Sequence, residues 1–276
     1  MKRYLILIIL TALSIGCTTK SEKIDSLKKG ETAESSTSKA KSINKIVNQL
    51  DGTWLSDGYL AAIEKRKTVH GNPAYTTSVF GFSILKDSLI DGSDYLYGFS
   101  THDAGYTWPI SYNKLKQRIE YDATAGDEIK PPSAFYINPL TSTTLELVFD
   151  KPAKKELYRK ADLEQELNRI LFEGSYTDQA MNKTVTFTRD GKITGLNGRI
   201  MYQVQYDTEG EYATPFDAVF LFTKQDDEAG TPFHFKISGD TITLYTVNEE
   251  EVEKYVEYNY SIGAKAYTLV KNKSSK

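Results

Sequence analysis

Leu50–Trp54 reads LDGTW, and 122 residues further on Phe172–Tyr176 reads FEGSY. Position by position the two stretches share one pattern: apolar, acidic, glycine, hydroxyl, aromatic. Upstream of each copy lies a short amphipathic segment. In Ser42–Leu50 (SINKIVNQL), Ile43, Ile46, Val47 and Leu50 recur at helical spacing, and in Asp162–Leu171 (DLEQELNRIL) Leu163, Leu167, Ile170 and Leu171 do the same. The halves also end alike. TLELVF (Thr144–Phe149) leads to KKELYRK (Lys154–Lys160), and TITLYTV (Thr241–Val247) leads to AKAYTLVK (Ala264–Lys271). An internal duplication is the reading, with halves at 43–160 and 161–276, each the size of one small domain.

Between these ends the dominant pattern has period two. Val185 and Phe187 alternate with Thr184, Thr186 and Thr188 before Asp190-Gly191. Ile200, Tyr202, Val204 and Tyr206 alternate with Met201, Gln203 and Gln205; Ala218, Phe220 and Phe222 share a face; Phe233, Phe235 and Ile237 precede Gly239-Asp240. In the first half Val79–Leu85, Ser88–Ile90 and Tyr95–Ser100 read as strands around Asp91-Gly92. Short alternating strands with tight turns predict antiparallel meanders. Their one-sided apolar faces must be covered, and rolling each half into a barrel covers them and removes open edges. The predicted fold is all-β: two small antiparallel up-and-down β-barrels, each preceded by a short helix. One large barrel spanning both halves is the rival. Asp57–Lys67 adds a helix to the first half, with Ser56 as its cap and Tyr59, Leu60 and Ile63 on one face, at a place where small barrels carry a lid.

With 276 residues, 39% apolar and 26% charged, the chain can bury a core. Its 34 basic and 37 acidic side chains give a net charge of −3 with no basic stripe, which speaks against nucleic acid as a partner. The single cysteine excludes internal disulfides and Cys-rich zinc sites.

That cysteine sits at the end of a targeting signal. Met1-Lys2-Arg3 is basic, Tyr4–Ile15 is apolar and too short to span a bilayer, and Ser14-Ile15-Gly16-Cys17 closes the segment. The stretch resembles a bacterial lipobox, with Ser14 where leucine is more usual. The resemblance implies a signal peptide at 1–17, cleavage before Cys17 and lipid attached to Cys17, so that the membrane is a partner through an N-terminal anchor. Acyl chains hold a protein there through ~0.8 kcal/mol per buried CH2. Losing Lys2 and Arg3 leaves 32 basic side chains against 37 acidic ones, net −5. Thr18 after the cysteine, where aspartate would signal retention, implies outer-membrane sorting on either face. Residues 18–42, rich in Ser, Thr, Lys and Glu, read as a flexible tether.

Gly52-Thr53-Trp54 behind a short helix, followed by antiparallel strands and a last strand bearing Arg159, resembles the lipocalin-like (calycin) lipoproteins of Bacteroidota-type bacteria. The resemblance covers residues 43–271 and implies that Trp54 plugs the closed end of the first barrel with Arg159 lying over it, a stack of about 0.5–2 kcal/mol. In the second half Tyr176 stands for the tryptophan and Lys271 is the nearest counterpart of the arginine.

The most site-like stretch is Tyr97–Trp108. His102 and Asp103 could fix a polar group of a small ligand while Tyr106 and Trp108 supply apolar walls; the same residues also read as a hairpin loop whose aromatics pack on a rim. His70 reads as a solvated turn residue and His234 as outward-facing, and three scattered histidines give no metal spacing. No Gly-x-Ser-x-Gly is present, and the Ser-x-x-Lys matches at Ser38–Lys41 and Ser83–Lys86 lack their partner motifs. The acidic groups Asp122, Asp127, Glu128 and Asp226–Glu228 read as turn residues, Glu249–Glu251 as a hairpin tip, and Tyr255, Tyr258 and Tyr260 as a barrel wall or a carbohydrate-stacking face. The expectation is a lipid-anchored envelope protein without cofactor or catalysis. It binds a small apolar or amphipathic ligand inside a barrel. The alternative is an interaction, inhibitor or glycan-binding protein whose barrels are solid.

Overall fold

The structure is a computed structural model that describes residues 46–70, 80–89, 93–99, 105–124, 131–206, 214–225, 230–253 and 256–273. The first half contains eight strands: β1 (Gly52–Ser56), β2 (Gly81–Ile84), β3 (Ser93–Phe99), β4 (Tyr106–Asn113), β5 (Arg118–Tyr121), β6 (Phe135–Pro139), β7 (Thr144–Phe149) and β8 (Lys154–Lys160). Each pairs antiparallel with the next, and β8 returns to β1 with Trp54 opposite Lys160, so the barrel is closed. Alternation fills it. Leu145, Leu147 and Phe149 of β7 point inward and are buried, while Thr144, Glu146 and Val148 lie on the outer face.

The second half repeats the design with β9 (Gly174–Asp178), β10 (Lys183–Phe187), β11 (Ile193–Thr194), β12 (Met201–Val204), β13 (Ala218–Phe222), β14 (Thr231–Ser238), β15 (Thr241–Glu253) and β16 (Val256–Lys271). The sheet runs β11-β10-β9-β16-β15-β14-β13-β12. Read around the ring, this is the same up-and-down order, with β9 beside β16 as β1 is beside β8. Closure is nearly complete. β11 has two residues, and it meets β12 through a single Lys192–Met201 bridge, with Ile193 N–H donating to the Ile200 carbonyl at 2.8 Å and Tyr202 N–H to that of Gly191 at 2.8 Å. Gly195, at φ +85°, sets the turn that follows β11, where a Cβ would collide with the Thr184 carbonyl. Two barrels therefore form, as the periodicity predicts, and the single large barrel does not.

Among the described residues the strands are accompanied by α1 (Asp57–Arg66), α2 (Lys86–Leu89) and α3 (Leu163–Leu171), and residues 46–50 are also helical. Asp162 caps α3 by accepting from Gln165 N–H at 2.8 Å, and Ser56 caps α1 by accepting from Tyr59 N–H at 3.4 Å.

Several local expectations are corrected. Ser88 and Leu89, read as strand, belong to the helical turn α2. In β13 Ala218, Phe220 and Phe222 do share a face, but the residues turned into the barrel are Val219 and Leu221, and Phe220 and Phe222 are half-buried on the other side against Gly230. An all-apolar strand gives alternation no polar residue to work from, and the pairing of Phe220 with the exposed Gln203 decides the face. Glu249–Glu251 form no tip, because β15 runs through them to Glu253.

The largest departure concerns α1. Its apolar face is not a lid on its own barrel. Tyr59, Leu60 and Ile63, together with Leu55, Val69 and Phe80, are 0–4% exposed in one continuous core with α3 and the interior of the second barrel. The described residues consequently belong to one compact unit.

Candidate functional site

Gly52 is at φ +118° and Gly174 at φ +150°, so both copies of the repeated glycine adopt a backbone that other residues avoid. A reason beyond the turn is visible at each. A Cβ on Gly52 would lie 2.6 Å from Cε of Lys160, and one on Gly174 would lie 3.2 Å from Cε of Lys271. Each glycine clears a path for the lysine stem of the last strand to cross the barrel end. Trp54 stands opposite Lys160, and Tyr176 opposite Lys271.

Trp54 is 1% exposed and donates from Nε1 to the Leu50 carbonyl at 2.8 Å, with Lys160 Nζ 5.7 Å from its ring. The cation on Trp54 is thus Lys160. Arg159, expected there, alternates to the outer face of β8, where its Nε lies 2.6 Å from Asp57 Oδ1 and its Nη1 4.0 Å from Glu166 Oε2. The reason is the strand period: one residue along β8 exchanges inside for outside.

Of the ligand-site residues read from sequence, His102 and Asp103 lie outside the described residues, as does Cys17. The backbone of Tyr106 opens β4 opposite Gly98. Trp108 faces the first barrel's interior, 4% exposed, its ring 5.5 Å from Phe135. That interior is occupied by side chains. Trp54, Phe82, Ile84 and Tyr158 are each 0–1% exposed, with Phe82 and Tyr158 at 4.9 Å. In the second barrel Phe172 contacts Phe187, Tyr202 and Phe235 at 5.1–5.5 Å. A depression of about 210 Å³ lies against Gln203–Tyr206 and Phe220. It is smaller than the roughly 300–1,000 Å³ of a drug-sized pocket, and its exposed Gln203 and Tyr206 place it on the outside of the wall.

The most highly organised polar groups join the two halves. Past α1, Lys67 adopts φ +55°, and its N–H closes the helix on the Ile63 carbonyl at 2.7 Å. Its ammonium reaches the Ile170 carbonyl at the end of α3 at 2.9 Å, where the helix dipole favours a cation. The next three residues converge on one carboxylate. Asp217 Oδ1 accepts from Val69 N–H and His70 N–H, both at 2.7 Å, and Oδ2 accepts from the Thr68 hydroxyl at 2.5 Å. The Asp217 carbonyl meets Nδ1 of His234 at 2.9 Å, and that ring lies between Phe216 and Tyr245. His70, read as solvated, is thus half-buried at the joint, whereas His234 lies on the outer face of β14, opposite the inward Phe233 and Phe235, as its alternation predicts.

A second cluster lies beside α3. Glu166, with a side chain 6% exposed, accepts from Arg169 at 3.0–3.1 Å and from Arg189, and Arg159 links it to Asp57. A carboxylate so enclosed is compensated by several guanidinium contacts. Among the described residues no group of three His, Cys, Asp or Glu is placed to hold a metal. Asp122, one of the acidic-loop candidates, binds the Thr124 hydroxyl and N–H within its own turn, which holds its carboxyl below the usual range. Sequence reasoning missed Asp217 and Glu166 because neither belongs to a motif; the Asp162-x-x-x-Glu166 spacing signals a helix and not a network.

Burial sets the pH response. It pushes the Tyr176 phenol up to about 12, helped by the charge of Asp240, and it pushes Tyr59 and Tyr202 upward as well. Each raised value means that the fold favours the neutral phenol. Their stabilisation is complete below the unfolded value of about 10 and is lost as pH rises through the folded values. In an alkaline titration the phenolate absorbance of these rings should appear together with loss of tertiary circular dichroism, above pH ~10. Full ionisation near pH ~10 in a still-folded protein would contradict this burial.

Among the described residues no helix is long and apolar enough to cross a membrane. Comparison with protein-family models, with curated proteins and with solved structures finds no match for this chain.

Proposed function

We infer that the protein is a lipid-anchored envelope lipoprotein, sorted to the outer membrane through Cys17, whose two lipocalin-like barrels are solid and serve as a rigid interaction module. The observation that supports this over a ligand carrier is the packing of both interiors. Trp54, Phe82 and Tyr158 in the first barrel and Phe172, Phe187, Tyr202 and Phe235 in the second are all 0–1% exposed, so recognition falls to outer surfaces. The joint through α1, Lys67 and Asp217 supports the same reading, because it holds the barrels in a fixed relation suited to presenting a composite surface.

The test is mass spectrometry of the full chain purified from a bacterial envelope and extracted with organic solvent. The reading expects diacyl or triacyl modification at Cys17 and no stoichiometric small molecule. Recovery of one apolar molecule per chain would overturn the solid-barrel reading. A Cys17→Ser protein that stays in the membrane fraction would overturn the anchor.

A further inference from the structure

The last hairpin of the second barrel is far longer than its counterpart in the first. Thr144–Lys160 spans 17 residues, and every residue of β7 from Leu145 to Phe149 is paired on both sides, with β6 and with β8. Thr241–Lys271 spans 31 residues. Here β14 accompanies β15 only from Thr241 to Thr246, and β9 accompanies β16 only from Leu269 to Lys271. Beyond the barrel, among the described residues, the two strands pair only with each other, from Val247 opposite Ile262 to Glu253 opposite Val256. The ribbon extends about 20 Å at ~3.4 Å per residue.

The departure is built into the strands. Register shifts at Leu244/Tyr245 and Tyr245/Val247 each place an extra residue on β16, at the level where the pairing of β14 with β15 ends. Gly263 backs onto Thr246 and Asn248 at the same level, where a Cβ would strike the Thr246 hydroxyl and the Asn248 side chain. A two-stranded ribbon has little stability of its own in water. Its length adds nothing that the first barrel needs to close. Among the described residues no strand pairs with the outer edge of 247–253, which leaves backbone N–H and C=O groups available for one.

We propose that this ribbon is a docking arm that takes up an extended, lysine- or arginine-bearing segment of another polypeptide as an added strand along β15. Backbone pairing supplies the mode of binding, and charge supplies the choice of partner. Residues 249–253 of β15 read EEEVE, four acids and no base, net −4. Asn248, Glu249 and Glu250 are exposed, as are Asn259, Ser261 and Ile262 on the paired strand. A basic side chain facing this edge gains from opposite-charge cross-strand pairs. A second copy of the ribbon, or an anionic lipid surface, would set like charge against like. The inference rests on the interaction reading above and names its partner class.

The test uses the full chain and two synthetic extended peptides, one alternating lysine with threonine and the other glutamate with threonine. The lysine peptide should bind at least about tenfold more tightly, a difference of about 1.4 kcal/mol, and the preference should weaken with salt. The triple variant Glu249→Lys, Glu250→Lys, Glu251→Lys should reverse the preference with its melting temperature kept. A second variant, with 248–261 replaced by Asn-Gly to match the short hairpin of the first barrel, should lose peptide binding and remain folded. Equal binding of the two peptides, binding indifferent to the ribbon, or ribbon-dependent self-association of the chain would each overturn the proposal. A small molecule recovered from the barrels would instead sink the solid-barrel reading and leave the peptide result standing.

Discussion

Replacing Phe172 with alanine is expected to cost about 3–5 kcal/mol, a large share of the roughly 5–15 kcal/mol that holds a domain folded. The ring is wholly buried at the end of α3 and touches Phe187, Tyr202 and Phe235, which come from three different strands of the second barrel. Those strands are held by their ladders, so they cannot close over the missing ring, and the cavity persists. Phe172→Leu keeps most of the volume and should cost less than half as much. The check is the denaturant midpoint with an unchanged slope. A loss below about 1 kcal/mol would mean that the barrel relaxes around the gap and that its interior is less rigid than the ring contacts imply.

The second large effect is at Asp217. Alanine removes the acceptor of the Val69 and His70 amides and of the Thr68 hydroxyl at once. Val69 is 4% exposed, so its amide has little access to water in compensation. Unsatisfied buried donors cost about 1–3 kcal/mol each, and bonds to a carboxylate are the stronger kind, so a loss of about 2–4 kcal/mol is expected for Asp217→Ala. Asp217→Asn keeps one oxygen for both amides and can turn its NH2 toward the Thr68 hydroxyl; it should retain at least half of that stability. Hydrogen exchange at Val69 and His70 is the direct readout. Both amides should lose protection in the alanine protein and keep most of it in the asparagine protein. Equal protection in wild type and Asp217→Ala would show that the joint does not depend on this carboxylate.

The two predictions probe parts of the molecule that differ in how visible they are before folding. Phe172 stands in the repeated FEGSY motif behind an amphipathic segment, so its apolar position could be read from a local pattern, although its ring contacts could not. Asp217 stands in a stretch without periodicity, and its three donors are nearly 150 residues away in sequence. The α1 helix falls between these cases. Its cap at Ser56 and its buried face of Tyr59, Leu60 and Ile63 were legible, because helical spacing and capping are local. The surface it covers was not, since an apolar stripe states that something must cover it without saying what. Arg159 and Lys160 show the same limit within two adjacent residues. Both are basic, both end the last strand of the first barrel, and only the pairing of Lys160 with Trp54 decides which one reaches the indole.

What the sequence by itself determined is the all-β class, the motif repeated at an offset of 122 and the up-and-down order of each half. These rest on a period-two alternation and on turn chemistry, and both act between residues close together in the chain. What only the tertiary structure decided is where the halves meet, which cation covers Trp54, which face of β13 turns inward, and that β15 and β16 run on past the barrel. Those depend on register and on packing between residues far apart in the chain. A one-residue shift in pairing leaves local propensity unchanged and moves every side chain to the opposite face.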